Sequence, residues 1–170
     1  MAITLIVEDG TGVTDANSYV DVDYARAFAE SIGLILSIED EVVKANLLLA
    51  MPYIENQQYQ GHKTSPDQLL QWPRSNVIAL NFLIDDDYMP TPLKKAQVMA
   101  AYLVENGTEL FPVITAQLVT EETVGPITTK YSDQYVSTYT GLPAFSEVDV
   151  YLKPFCNYAG GYRLSPAFGF

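Results

Sequence analysis

The hydrophobic and polar positions of this chain follow a helical period in several stretches before residue 107 and again from Ser146, and a strand-like one over much of residues 113–139. Val22, Ala25, Ala29 and Ile32 recur at helical spacing behind Asp21 or Asp23 as cap, and Gly33 closes the pattern, which predicts a first helix. Ser37 with Asp40 three residues on resembles a capping box. Glu39, Asp40 and Glu41 put negative charge where the helix dipole favours it, so a second helix is expected to start here. Its face Val43, Leu47, Ala50 and Ile54 is widened by Leu48 and Met51, predicting the helix most fully wrapped by core, with a kink at Pro52. A third helix is signalled by Thr91 as cap, Pro92 at its first position, the apolar row Leu93, Ala96, Ala100 and Leu103, and a stop at Gly107. A short fourth one is predicted from Ser146 through Val148, Tyr151 and Leu152, ended by Pro154.

Between and beyond these helices the pattern changes. Residues 3–7, ITLIV, form a β-prone run, and Glu8-Asp9-Gly10-Thr11-Gly12 reads as a turn. The stretches 113–119 and 123–139 are rich in Thr, Val, Ile and Tyr, with Gly125-Pro126 as a break, and read as strands or extended arms. The fold class expected is mainly α: a small helical bundle with an extended β-prone arm or hairpin after residue 112 and an extended C-terminal tail. Residues 1–156 form one domain that includes the arm at 113–140, and residues 157–170 form the tail.

The segment Tyr59–Arg74, YQGHKTSPDQLLQWPR, gathers the chain's single Trp and single His into a polar loop. Pro73 excludes helix and biases Trp72 toward extended geometry, so the indole is set at a defined angle beside a cation. Trp72, Pro73 and Arg74 are therefore expected to be a structural anchor, with the loop pinned to the core and Arg74 capping or stacking.

Composition sharpens this picture. A chain of 170 residues suits one domain with a genuine core, and 48% hydrophobic against 18% charged leaves apolar surface for partners. The formal charge is -12, and no basic run exceeds Lys94-Lys95, which opposes a phosphate grip. The lone Cys156 forms no internal disulfide and is expected to be a small buried hydrophobe. With no signal-like N-terminus and no long apolar run, a soluble protein is expected. Asn106-Gly107-Thr108 matches a glycosylation sequon but reads better as a helix end.

Catalytic chemistry has little to stand on. His62 lies between Gly61 and Lys63 in a loop, with no nucleophile motif elsewhere. Asp85-Asp86-Asp87 lacks the spacing of a calcium loop and reads as a solvated turn, and Gly10-Thr11-Gly12 lacks the Lys and helix start of a phosphate loop. No enzyme, no cofactor and no metal are expected.

Two asymmetries remain. Residues 1–41 hold nine acids and one Arg, whereas no Asp or Glu follows Asp149. Residues 131–170 hold ten of the twenty aromatics, among them Tyr158, Tyr162, Phe168 and Phe170 in a Gly-punctuated tail. The tail either folds back on its own core or docks on another chain, as interfaces enriched in Tyr, Phe and Arg do. On the docking reading Tyr158, Tyr162, Arg163, Leu164, Phe168 and Phe170 bind a partner.

The order of ITLIVEDGTGV, ANSYVDVDYARAF, YQGHKTSPDQLLQWPR, TPLKKAQVMAAYL and VGPITTKYS over about the first 155 residues resembles small head-tail connector proteins of tailed phages. Some sequences of this type are similar to DnaT-like single-strand binding proteins, whose basic surface this chain lacks. The connector resemblance implies a helical adaptor docked on the portal and on other neck or tail proteins. It also implies a ring of its own copies, expected to be a dodecamer, at the virion neck after synthesis in the host bacterial cytoplasm. Double-stranded DNA would pass through without specific binding, and no membrane is involved. An acidic lumen would let DNA slide, since like charge suppresses phosphate contacts. Glu8, Asp9, Asp21, Asp23, Glu39, Asp40 and Glu41 are the candidates to face that channel. The alternative is a single-stranded DNA-binding replication protein.

Overall fold

The computed structural model describes residues 2–111, 121–124, 127–130 and 144–157. Within them the architecture is helix-rich and mixed, with four α-helices and three small antiparallel strand pairs. The mainly α bundle expected is therefore found as a helix-rich fold that also holds strand pairs. The helices are α1 (Val22–Ser31), α2 (Asp40–Glu55), α3 (Thr91–Glu105) and α4 (Ser146–Leu152), the last followed by a single 3-10 turn at Lys153–Phe155. The strand pairs are β1 (His62–Lys63) with β2 (Arg74–Ser75), β3 (Ile78–Ala79) with β4 (Phe82–Leu83), and β5 (Glu121–Val124) with β6 (Ile127–Lys130).

The apolar stripes account for the packing. Val43, Leu47, Ala50 and Ile54 of α2 are all buried, as are Leu93, Ala96 and Ala100 of α3, and α3 lies between α2 and α4 as the centre of the body. Both partners of α3 therefore bury their faces against the same helix, and Val148 and Leu152 of α4 reach zero exposure despite the helix's short length. The helix also needs a polar core residue. Gln97 is fully buried and accepts from the Tyr19 N–H at 2.9 Å while donating to Ser18 Oγ at 2.9 Å and to the Leu47 carbonyl at 3.2 Å. It thereby gives the buried Tyr19 N–H an acceptor where the N-terminal segment meets α2 and α3.

Several boundaries differ from the sequence reading for local reasons. Residues 3–7 form no strand; a single parallel bridge pairs Val7 with Ser18, and Asn17 Oδ1 takes the Ile6 N–H at 2.8 Å in place of a ladder partner. Asp21 caps α1 through the Tyr24 N–H at 2.7 Å, as its position predicts. Ser37 does not cap α2: its Oγ accepts from the Glu39 N–H at 3.1 Å, a local turn bond that competes with capping, and Glu39 is the N-cap without a side-chain bond. The α2 helix runs on past Pro52 to Glu55. Pro90 takes the N-cap of α3, one position before the Thr91 expected, and α4 begins at Ser146 as expected. The Gly125-Pro126 break falls between β5 and β6, whose register pairs Val124 with Ile127. The rest of the expected arm lies outside the described residues.

Two glycines hold loops against the body. A Cβ on Gly10 would stand 2.0 Å from the Asp87 carbonyl oxygen, and one on Gly61 would stand 2.0 Å from that of Ser75. Both also have positive φ, at 109° and 65°, so no other residue fits without moving the backbone.

Candidate interaction surface

The loop around Trp72 is consumed by the interior. Trp72 has no exposed area, and its ring meets Tyr59 and Phe155 edge-on, with centroids 5.8 and 5.6 Å away at 83° and 89°. The Trp72–Pro73 peptide is cis, a geometry an X-Pro amide tolerates, where trans extended backbone is the simpler expectation. Arg74 is buried and donates to the carbonyls of Gln60 at 2.7 Å and Gly61 at 2.9 Å and to Gln71 Oε1 at 2.7 Å, with its guanidinium 5.9 Å over the Tyr59 ring. Burial holds the guanidinium below its ordinary pKa, opposed by nearby Tyr and Glu groups. Trp72 is thus held by packing and Arg74 by its bonds to Gln60, Gly61 and Gln71, while the Trp72 indole N–H is buried without a hydrogen-bond partner among the described residues.

A half-buried acid adjoins this loop. Tyr19 donates its hydroxyl to Glu55 Oε1, Glu55 Oε2 accepts from the Gln71 N–H at 2.7 Å, and the Tyr19 hydroxyl oxygen accepts from the Trp72 N–H at 3.2 Å. Burial pushes the Glu55 carboxyl above its usual range while these bonds work against the rise, and burial together with the Glu55 charge pushes Tyr19 well up. The group has acid, phenol and cation in reach of one another, yet each polar atom is occupied in holding the loop.

The neighbouring β3–β4 hairpin is built the opposite way. Its two-residue turn is Leu80-Asn81, with φ of 52° and 69°, so both central residues are left-handed, as a type I′ hairpin requires. Gly or Asn ordinarily supplies that conformation, and a bulky Leu in it is an outlier held by its surroundings. The Ile84 N–H closes the hairpin on the Val77 carbonyl at 2.9 Å. Leu80 is 75% exposed, Phe82 72%, Leu83 70% and Ile78 59%, while Val77 and Ala79 turn inward. Behind these side chains an open groove of about 350 Å³ is bounded by Ala79, Tyr88, Pro92 and Phe155 and flanked by Asp85. Such a cluster of displayed apolar residues marks a docking surface more than a solvent face. A smaller apolar patch, Ile35 and Ile38 with exposures of 81% and 90%, lies in the connection between α1 and α2.

The charges are distributed to suit this reading. Arg26 binds Asp40 at 2.7 Å and the carbonyls of Ser37 and Ile38; Lys44 pairs with Glu41 at 2.8 Å; Lys63 donates to the carbonyls of Gln68 and Leu69; Lys95 lies 5.4 Å over the Phe28 ring. Arg74 is buried and so adds little to the exposed positive charge. A polar groove between residues 11–15 and 64–69 is lined by Asp15, Asp67, Thr64 and Ser65, an acidic lining unsuited to phosphate.

Of the acids expected to face solvent, Asp9, Asp21, Asp23, Glu39, Asp40 and Glu41 are exposed. Glu8 is not. It is 1% exposed, and its carboxylate accepts the N–H groups of Gly10, Gly12 and Val13, each at 2.9 Å, so it shapes the EDGTG turn from inside and cannot line a channel. Some exposed acids are also spoken for: the Thr11 hydroxyl and amide lower the pKa of Asp9, and the Ile3 amide, then Lys44, lower that of Glu41. Tyr158, Tyr162, Arg163, Leu164, Phe168 and Phe170 lie outside the described residues. Asp85, Asp86 and Asp87 are exposed and form a turn closed by the Tyr88 N–H on the Asp85 carbonyl at 3.1 Å. His62 is exposed on β1, and Cys156 is buried. Among the described residues no group of three or more His, Cys, Asp or Glu side chains converges on a point, and no helix is long and apolar enough to cross a membrane.

Sequence reasoning missed the hairpin, Gln97 and Glu55. The signal for the hairpin was the apolar run VIALNFLI divided by Asn81; without Gly in the turn it reads as one continuous segment.

Residues 3–165 match the family described as "Putative DnaT-like ssDNA binding protein", and the chain belongs to that family. No curated protein and no solved structure matches it.

Proposed function

We propose that this chain is a structural subunit that works by docking on protein, and that it serves as the head-tail connector of a tailed phage, forming a ring below the portal through which double-stranded DNA passes. The observation that carries the docking part is the β3–β4 hairpin, which displays Leu80, Phe82 and Leu83 in solvent from a turn that keeps Leu80 left-handed. The connector part is supported by the order of its sequence segments. The acidic balance of -12 and the engagement of Arg26, Lys44, Lys63 and Arg74 within the fold suit a conduit that does not hold DNA. On this reading the chain performs no catalysis and needs no cofactor.

The family description favours a second reading, binding of single-stranded DNA in replication. Exposed Phe82 and Tyr88, with aromatics of the tail, would then stack on bases. A labelled oligonucleotide titrated over a salt series separates the two. The binding module retains measurable affinity with a steep loss as salt rises, whereas the connector shows almost none even at low salt. Electron microscopy of the purified protein with and without portal then checks for a ring.

A further inference from the structure

The exposed hairpin groove has a complementary occupant within the same sequence. Its walls are apolar, from Leu80, Phe82, Tyr88 and Pro92, and the acidic turn Asp85-Asp86-Asp87 borders it. Residues 158–170 read YAGGYRLSPAFGF: aromatic and apolar, with no acid and a single cation, Arg163. Apolar side chains matched to an apolar groove, and a cation matched to a carboxylate rim, are the two elements of a specific interface core and rim.

Position favours the same segment. Phe155 forms part of the groove and packs edge-on against Trp72, and the described body ends two residues later at Asn157. There the Asn157 N–H donates to the Gln58 carbonyl at 2.7 Å and its side chain to the Tyr59 carbonyl at 3.2 Å, so the start of the tail is tied to the rigid anchor. Thirteen extended residues span at most about 45 Å, ample to cross to an adjoining subunit.

We infer that residues 158–170 of one copy dock in the hairpin groove of a second copy, with Leu164 and the tail aromatics against Leu80 and Phe82 and Arg163 at the Asp85–Asp87 turn. The choice of a second copy over the chain's own tail rests on the ring reading above. A tail-to-groove contact is heterologous, and repeated from copy to copy it closes a ring when its rotation allows. The left-handed Leu80 then has a use, because it presents an apolar side chain at the tip where an incoming segment meets it first.

Disulfide trapping in the full-length chain tests this, in a Cys156→Ser background. Chains carrying Leu80→Cys are mixed with chains carrying Leu164→Cys and oxidised, and a linked pair of one of each is expected. Adding Arg163→Glu to the second chain lowers the rate of linking by roughly tenfold or more, since like charges then meet. A link that forms only inside a chain carrying both substitutions makes the tail a cover of its own groove and overturns the inference. Absence of any link overturns it as well. The ring reading is judged separately by electron microscopy: rings without the link sink this contact alone, and the link without rings sinks the connector reading alone.

Discussion

Residues 70–77 and residues 78–84 are adjacent in sequence and opposite in physical character. The first stretch buries Leu70, Trp72, Arg74 and Val77, while the second leaves Ile78, Leu80, Phe82 and Leu83 at 59% exposure or more. Both are short loops stiffened by a two-residue strand pair. What separates them is where their donors go: Arg74 and Gln68 are bonded inward to backbone carbonyls, drawing the first loop onto the body, whereas the hairpin closes only on itself. An apolar side chain near a self-closed turn has no core to enter. Large aromatic content in a loop therefore says little by itself; the hydrogen bonds of the surrounding backbone determine whether it stabilises the fold or faces a partner.

The strongest way to break the contrast is Trp72→Ala. Loss of a fully buried ring in contact with Tyr59 and Phe155 is expected to lower stability by about 3–5 kcal/mol in urea unfolding. An unchanged melting curve would mean that this loop is no anchor. Gln97→Ala follows, expected to cost about 1–3 kcal/mol because the buried Tyr19 N–H loses its acceptor. A cost below about 1 kcal/mol would show that water replaces the amide.

The hairpin should respond in the reverse sense. Phe82→Ser is expected to stay within about 1 kcal/mol of the parent, as solvent-exposed substitutions do, and to diminish self-association measured by sedimentation. Leu80→Gly should leave stability equally close, since relief of the left-handed Leu offsets the added freedom of the unfolded chain. If either variant unfolds the protein while assembly tracks only the folded fraction, the distinction between anchor and display fails.

The smallest effect concerns pH. Burial raises the carboxyls of Glu55 and Asp149 above their ordinary values of 4.5 and 3.8, so between those values and the raised ones the folded chain binds more protons than the unfolded chain. Their contribution to stability accordingly falls as pH rises through that window. Asp9 and Glu41, lowered by local hydrogen bonds, act oppositely, losing their contribution as pH falls through their folded values. Glu55→Gln should flatten the decline just above pH 4.5 in a series of urea midpoints. An unaltered slope would place the titration elsewhere than in the Tyr19–Glu55 group.

The sequence by itself determined the helices, because the period of Val43, Leu47, Ala50 and Ile54, or of Leu93, Ala96 and Ala100, is a local property that any core must respect. It also marked Trp72 as an anchor, since an aromatic of that size between Leu70 and Pro73 has few other stable places. Only the tertiary structure decided that Glu8 is buried and the other N-terminal acids are not, because its carboxylate is matched by three backbone N–H groups that come together when the turn closes. Gln97 and Glu55 were equally illegible, for their partners lie far along the chain, at Tyr19, Ser18 and Leu47 for one and Tyr19 and Gln71 for the other. The outward face of Leu80 and Phe82 was hidden for the same reason: burial depends on what the rest of the chain brings alongside, and Tyr88, Pro92 and Phe155 border an open groove there instead of covering them.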